Sequence, residues 1–147
     1  MKRAIIGFLG LGVMGLPMAV NVIKKSGCPV LGYDIDECRM HRFVAAGGSA
    51  ARESNEIYEN CDIILQILPT HETISDSVKR AAKSGKPGNI IVDLSSAAPH
   101  IIMSLEENVK NAGMHLLDSP VSGGNPKAAA GTLAIMTGEI GRASCRE

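Results

Sequence analysis

The chain has 147 residues, 45% of them apolar and 3% aromatic, with 16 Gly, 7 Pro and no Trp, enough for one domain with a sizeable core and too few for two ordinary ones. Its 15 basic and 15 acidic residues cancel, and two Phe and two Tyr leave little for base stacking, so nucleic acid and membrane surfaces are not expected partners. No apolar run approaches the roughly 18 residues of a membrane span, and the run at residues 4–9 leads into a glycine loop without a cleavage site, which argues against a targeting presequence.

In chain order, short aliphatic or β-branched runs alternate with helix-length amphipathic segments, the pattern of βαβ units around a parallel sheet. Residues 4–9 read as a buried first strand and 12–25 as a helix that tolerates Pro17 in its first turn and ends at Gly27. A second strand at 30–33 is followed by a helix at 36–46, opened by acidic residues and closed by Gly47 and Gly48. Residues 54–60 predict a short helix, 63–68 an apolar strand stopped by Pro69, and Thr70 caps a helix to about Lys83. Residues 89–93 form the next strand, and Pro99 begins a helix to Asn111 with Gly113 as its stop. Two more strands, at 115–117 and 133–136, close the pattern.

Cys28, Cys38, Cys61 and Cys145 form neither a C-x-x-C pair nor a metal-ligand spacing, and His41, His71, His100 and His115 are scattered singly. Reduced thiols, a cytoplasmic location and no metal site are the expectation.

The sharpest motif is G-x-G-x-x-G, formed by Gly10, Leu11, Gly12, Val13, Met14 and Gly15 between the first strand and the first helix. In that context the first Gly makes a tight turn, the second lets the backbone approach a pyrophosphate, and the third lets helix and strand pack closely. The helix N-terminus adds free N–H donors and a positive dipole end. A ligand-free turn is the plainer alternative. Asp34 ends the second strand, 19 residues after Gly15, where a carboxylate accepts from both ribose hydroxyls and repels a 2′-phosphate, favouring NAD over NADP. The plainer alternative is an Asp that ends the strand or caps the next helix, a job that Asp36 nearby could do instead.

Three further loops follow strands and so rise on the carboxyl edge of the sheet, where open α/β folds bind ligands. They span 68–70, 93–99 and 118–124. Singly each is an ordinary turn; together they form a candidate floor for cofactor and substrate.

The stretch GFLGLGVMGLPMAVNVIKKSG, the segments DIILQILPT and DLSSAAP, and DSPVSGGNPKAAAGTLAIMTG resemble the β-hydroxyacid dehydrogenase family, which includes 3-hydroxyisobutyrate dehydrogenase and tartronate semialdehyde reductase. The resemblance covers residues 3–138. It implies an α/β fold, a Rossmann-type doubly wound, mostly parallel sheet over residues 1–138, akin to the 6-phosphogluconate dehydrogenase NAD-binding domain. The all-α C-terminal domain of the family is absent. By the same resemblance, Gly10 to Gly15 hold the pyrophosphate, Asp34 the ribose, and Leu68 and Pro69 lie against the cofactor. Ser96, where the family often has Thr, stands beside the nicotinamide ribose. Ser122, Gly123 and Gly124 hold a substrate carboxylate, which suits the exposed N–H groups of a Gly-rich turn. Asn125, Pro126 and Lys127 depart from the commoner pattern and resemble the tartronate semialdehyde reductase branch. Lys127 invites a general-acid reading, but after a turn proline in a loop it reads as a solvated lysine. The catalytic lysine of the family lies further along, on a helix beyond the end of this chain, so no catalytic residue is assigned.

The implied activity is hydride transfer between NAD and a small β-hydroxyacid by a homo-oligomeric parent, with this chain inactive alone. The alternative is a stand-alone dinucleotide-binding module or sensor. Residues 139–147, EIGRASCRE, carry no apolar period and can be encoded by GAG ATC GGA AGA GCG TCG TGT AGG GAA, which matches a widely used sequencing adaptor. They are expected to be a non-native tail.

Overall fold

A computed structural model describes residues 3–139. The N-terminal apolar run becomes β1 (Ile6–Leu9), buried at all four positions. It is followed by α1 (Gly15–Ser26), β2 (Val30–Tyr33), α2 (Glu37–Ala45), β3 (Ser49–Ala50), α3 (Ser54–Asn60), β4 (Ile63–Gln66) and α4 (His71–Ser84). Then come β5 (Ile90–Asp93), α5 (Pro99–Asn111), β6 (His115–Asp118), β7 (Val121–Ser122), α6 (Gly124–Ala130), β8 (Ala134–Ile135) and β9 (Gly138–Glu139).

The main sheet runs in the order β3-β2-β1-β4-β5-β6-β9. Its first six strands are parallel and β9 pairs antiparallel with β6. This is the doubly wound Rossmann order, whose direction reverses between β1 and β4, and the crevice at that reversal is where such sheets bind ligands.

Alternation along the strands sorts the side chains into two cores. Ile6, Phe8 and Val30 pack with Met18 and Ala19 of α1, Phe43 of α2 and Ala128 of α6. On the opposite face Ile64, Ile91 and Leu116 pack with Ile57 and Tyr58 of α3, Ile74 and Val78 of α4, and Ile102 and Leu105 of α5. Each of the wholly buried large side chains among them, Phe8, Phe43, Ile57, Ile64, Ile74, Ile91, Ile102 and Leu105 for example, stabilises the fold by about 1.5–3 kcal/mol relative to exposure.

Local signals act where they were expected. Gly27 ends α1 in the left-handed region, at φ 66°. Asp36 caps α2 by accepting from the Arg39 N–H at 3.1 Å. Thr70 and Thr73 form a reciprocal capping box at the start of α4: the Thr73 N–H donates to Thr70 Oγ1 at 3.1 Å and the Thr70 N–H to Thr73 Oγ1 at 3.2 Å. Thr70→Ala is therefore expected to cost about 1 kcal/mol in urea unfolding; an unchanged midpoint would show that the box contributes nothing.

Two expectations need correction. Residues 133–136 do not extend the main sheet: β8 pairs antiparallel with β7 in a separate two-stranded ribbon. Lys127 is not in a loop but in α6. Pro126 is compatible with that helix because it lies in the first turn, where its missing N–H would have had no intrahelical partner. The two-residue strand β3 was not expected either. Of the tail 139–147, Glu139 pairs with Leu117, and residues 140–147 lie outside the described residues.

Candidate functional site

The glycine loop leaves β1 at the point where strand order reverses. Gly10 turns the chain at φ 89°, a left-handed conformation that side chains rarely adopt, and its N–H donates to the Tyr33 carbonyl at 3.1 Å. A Cβ on Gly15 would strike the Gly10 carbonyl oxygen and lie 2.8 Å from its carbon, so loop and helix pack as the motif requires. Met14 stands at the N-cap of α1 without a side-chain cap hydrogen bond, which leaves the helix end available to an anionic group.

Asp34 closes this corner. Its carboxylate is 6% exposed. Oδ2 accepts the Leu11 N–H at 2.7 Å and Oδ1 the Asp36 N–H at 2.9 Å. Arg39, absent from the sequence-based set, brings Nη1 to 3.5 Å from Asp34 Oδ1 and Nε to 3.6 Å from Asp36 Oδ2. The carboxylate thus braces the loop and borders the cavity at the same time.

A cavity of about 600 Å³ opens here, lined by Gly10, Gly12, Val13, Met14, Gly15 and Asp34, by Leu68 and Pro69 from the loop after β4, and by Tyr58 of α3 and Ser77 of α4. That size lies in the ordinary range of ligand sites. A second cavity of about 300 Å³ adjoins it, lined by Met14, Leu68, Pro69, His71, Ser95, Ser96 and Val121 among others. His71 was not among the expected site residues; its Nε2 accepts the Ala98 N–H at 3.2 Å.

Of the residues singled out in the sequence, Gly10, Gly12, Val13, Met14, Gly15, Asp34, Leu68, Pro69 and Ser96 thus line one or both cavities. Leu11 contributes its N–H to Asp34 while its side chain is wholly buried. Ser122, Gly123 and Gly124 are exposed and follow Val121, which lines the second cavity. Gly123 has φ 138° and Gly124 φ 68°; the Lys127 stem covers Gly123, where a Cβ would meet Lys127 Cδ at 2.6 Å. Asn125 ties this turn to the glycine loop by donating from Nδ2 to the Val13 carbonyl at 2.7 Å.

Beneath the cavities lies a buried polar network that sequence reasoning missed. Tyr58 Oη and Ser77 Oγ are 2.8 Å apart, Ser77 Oγ donates to Gln66 Oε1 at 2.7 Å, and Gln66 Nε2 donates to Asp93 Oδ1 at 3.1 Å. Ser95 Oγ also donates to Asp93 Oδ1, at 2.8 Å, and accepts the Leu68 N–H at 2.9 Å. Burial raises the Tyr58 hydroxyl above its ordinary range, partly offset by the Ser77 hydrogen bond. It pushes the Cys61 thiol up to about 12, so this buried cysteine has none of the thiolate character of a nucleophile. The one available signal was Gln66, a polar residue inside an apolar strand.

No helix among the described residues is long and apolar enough to cross a membrane, and no group of three or more of their His, Cys, Asp and Glu could hold a metal ion.

The family described as the NAD binding domain of 6-phosphogluconate dehydrogenase matches residues 5–145. The chain is 37% identical over 142 residues to 2-(hydroxymethyl)glutarate dehydrogenase of Eubacterium barkeri, covering 94% of this chain and 47% of that protein. It is 35% identical over 137 residues to NAD-dependent L-serine dehydrogenase of Pseudomonas aeruginosa, covering 90% and 45%. Among solved structures, Mycobacterium tuberculosis 3-hydroxyisobutyrate dehydrogenase with L-serine superposes with a TM-score of 0.87 at 32% identity, over 93% of this chain and 47% of that one. The chain spans a little under half the length of these relatives.

Proposed function

Because the chain belongs to the family of the NAD binding domain of 6-phosphogluconate dehydrogenase, we propose that it is the cofactor-binding part of a dehydrogenase that transfers hydride between NAD and a small β-hydroxyacid. The observation that carries this reading is the glycine loop braced by Asp34, opening on a cavity whose other walls come from the loop after β4 and from α3 and α4, with the second cavity beside it between the loops after β4 and β5.

The residues present fit the cofactor. The close approach of Gly10 and Gly15 and the uncapped start of α1 suit a pyrophosphate, and Asp34 suits a ribose diol. Leu68, Pro69 and Ser96 border the space for the nicotinamide end. When bound, NAD supplies the hydride acceptor at the nicotinamide C4. The residues of this chain bind it, orient it and wall off one side of it, while Ser122, Gly123 and Gly124 hold the substrate carboxylate. Proton transfer at the reacting oxygen belongs to a lysine outside this chain. The 147 residues alone therefore bind NAD without turnover. Isothermal titration with NADH, paired with a dehydrogenase assay on a β-hydroxyacid panel, tests this: binding without activity is expected, and turnover by the chain alone would overturn it.

The relatives named above act, by their names, on 2-(hydroxymethyl)glutarate, L-serine and 3-hydroxyisobutyrate, and the feature common to all three is a carboxylate beside a hydroxylated carbon chain. A substrate of that kind is proposed here. We further propose that residues 139–147 are foreign to the protein; sequencing the parent gene tests this, and a genuine stop codon after Glu147 would contradict it.

Asn125→Ala removes the tie between the substrate turn and the Val13 carbonyl. A net hydrogen bond contributes about 0.5–1.5 kcal/mol, so the variant is expected to lose about that much stability in urea unfolding and, with the turn released from the glycine loop, to weaken NADH about twofold to tenfold in titration. Unchanged affinity would show that the two loops act independently.

A further inference from the structure

Strand register brings three polar residues into one row. Ile64, Ile91 and Leu116 are aligned across β4, β5 and β6, and two residues on, Gln66, Asp93 and Asp118 are aligned in the same way. Alternation puts that second row on the same face as the first, under α3, α4 and α5. Gln66 and Asp93 are both wholly buried.

Two buried oxygens of this row stand out. Asp93 Oδ1 accepts from Gln66 Nε2 and Ser95 Oγ. Asp93 Oδ2 and Asp118 Oδ1 are the buried side-chain polar atoms without a partner among the described residues. They belong to aligned residues on adjacent strands, about 4.8 Å apart in backbone spacing. Both are acceptors when ionised, so neither can satisfy the other. One proton would satisfy both, as an O–H on one carboxyl donated to the other.

We propose that Asp93 and Asp118 share a single proton across β5 and β6, and that this acid–carboxylate pair positions Ser95 and, through it, Leu68 in the walls of the second cavity. The proton comes from solvent on folding and is held as one O–H bond; no bond forms or breaks between heavy atoms.

Among the described residues the surroundings offer no other compensation. β4 presents Gln66, α4 presents Ser77, and α3 presents Tyr58, whose nearby cation is Arg80. α5 presents Ile102 and Leu105. Among the described residues no charged group acts on Asp93, and the one that acts on Asp118 is Asp93 itself. Burial raises both carboxyls above their ordinary range, as expected where two like charges would otherwise share a dry site.

The mechanical consequence runs through Ser95. Its hydroxyl donates to Asp93 and accepts the Leu68 N–H, so Asp93 sets the height of the loop after β4 relative to that after β5. Both loops line the second cavity, which the proposed function assigns to the nicotinamide half of the cofactor; the inference rests on that reading. Asp93 and Asp118 are positioning residues, not catalytic ones.

Folding raises both carboxyls, so the stability the pair contributes is present below the ordinary carboxylate range, about pH 4, and is lost as pH rises through the raised values. Asn at position 93 reproduces the protonated acid: its Oδ1 keeps the two accepted bonds and its Nδ2 donates to Asp118. The test uses the 147-residue chain, with urea unfolding across pH and titration with NADH and ADP-ribose. D93N is expected to flatten the loss of stability with rising pH and to keep NADH affinity within about twofold. D93A is expected to weaken NADH about tenfold or more while leaving ADP-ribose within about twofold, and S95A to show the same split, which keeps the test valid if D93A does not fold. The proposal is overturned if D93N leaves the pH profile unchanged, if it weakens NADH as much as D93A, or if NADH and ADP-ribose weaken alike. An unmodified chain that binds neither ligand overturns the reading of the site itself and this inference with it.

Discussion

Replacing Gly15 with alanine is expected to destabilise the domain by about 3 kcal/mol and to abolish NADH binding, whereas Gly12→Ala is expected to abolish or sharply weaken binding alone. The two glycines are three residues apart and do different things. A Cβ on Gly15 would drive into the Gly10 carbonyl and lie 3.0 Å from Ile67 Cγ2. The first of these is backbone and cannot step aside, so α1 must move off the sheet. A Cβ on Gly12 meets nothing nearer than Arg39 Nη1 at 3.8 Å, and it projects where Gly12 lines the large cavity. The folded chain should tolerate it within about 0.5 kcal/mol. A bound pyrophosphate should not, because it needs the bare backbone, and a loss of tenfold or more, about 1.4 kcal/mol, is expected. Urea unfolding paired with NADH titration separates the two. A G12A chain that folds and binds as before would mean that nothing approaches this loop, and a G15A chain of unchanged stability would mean that helix and strand do not pack as described.

Asp34→Ala carries the second large effect. The carboxylate accepts the Leu11 and Asp36 N–H groups, so its loss unties the loop from β2 even before a ligand binds. Hydrogen bonds to a charged acceptor contribute about 1.5–3 kcal/mol each, and losing those donated by a ribose diol is expected to weaken NADH by a factor on the order of 100. NADPH should weaken far less, because the same change removes the negative charge that opposes a 2′-phosphate. Arg39 is already within 3.5 Å of that corner and would become free to meet the phosphate. Equal losses for NADH and NADPH would show that Asp34 braces the loop and reads nothing.

The parts of the fold legible in the sequence are those where one physical signal dominates. β1, β2, β4, β5 and β6 are short aliphatic runs that need burial on both faces, and α4 and α5 announce themselves by Thr70 and Pro99 at their starts. The glycine loop and Asp34 were legible because the motif carries its own stereochemistry. What escaped has equally definite causes. β3 has two residues, both exposed, too few for a period. α6 begins with Gly124, Asn125 and Pro126, residues that signal a turn when read locally, and its tie to α1, where Asn21 donates to the Ala128 carbonyl at 2.8 Å, spans 107 positions of chain and leaves no local signal. Residues 133–136 have the apolar content of a strand, but where β8 pairs depends on β7, which is two residues long. The polar row joining Gln66, Asp93 and Asp118 draws on three strands spread over 52 positions of chain, and no local pattern reports which residues of separate strands come into register.

We propose that a dinucleotide is held by the backbone of the glycine loop and by Asp34 beside it, where the carboxylate opposes a 2′-phosphate. The most direct measurement is isothermal titration of the unmodified 147-residue chain with NADH and with NADPH. One-to-one binding, with NADH the tighter ligand by about tenfold or more, is the predicted result; no binding of either, or a preference for NADPH, would contradict it.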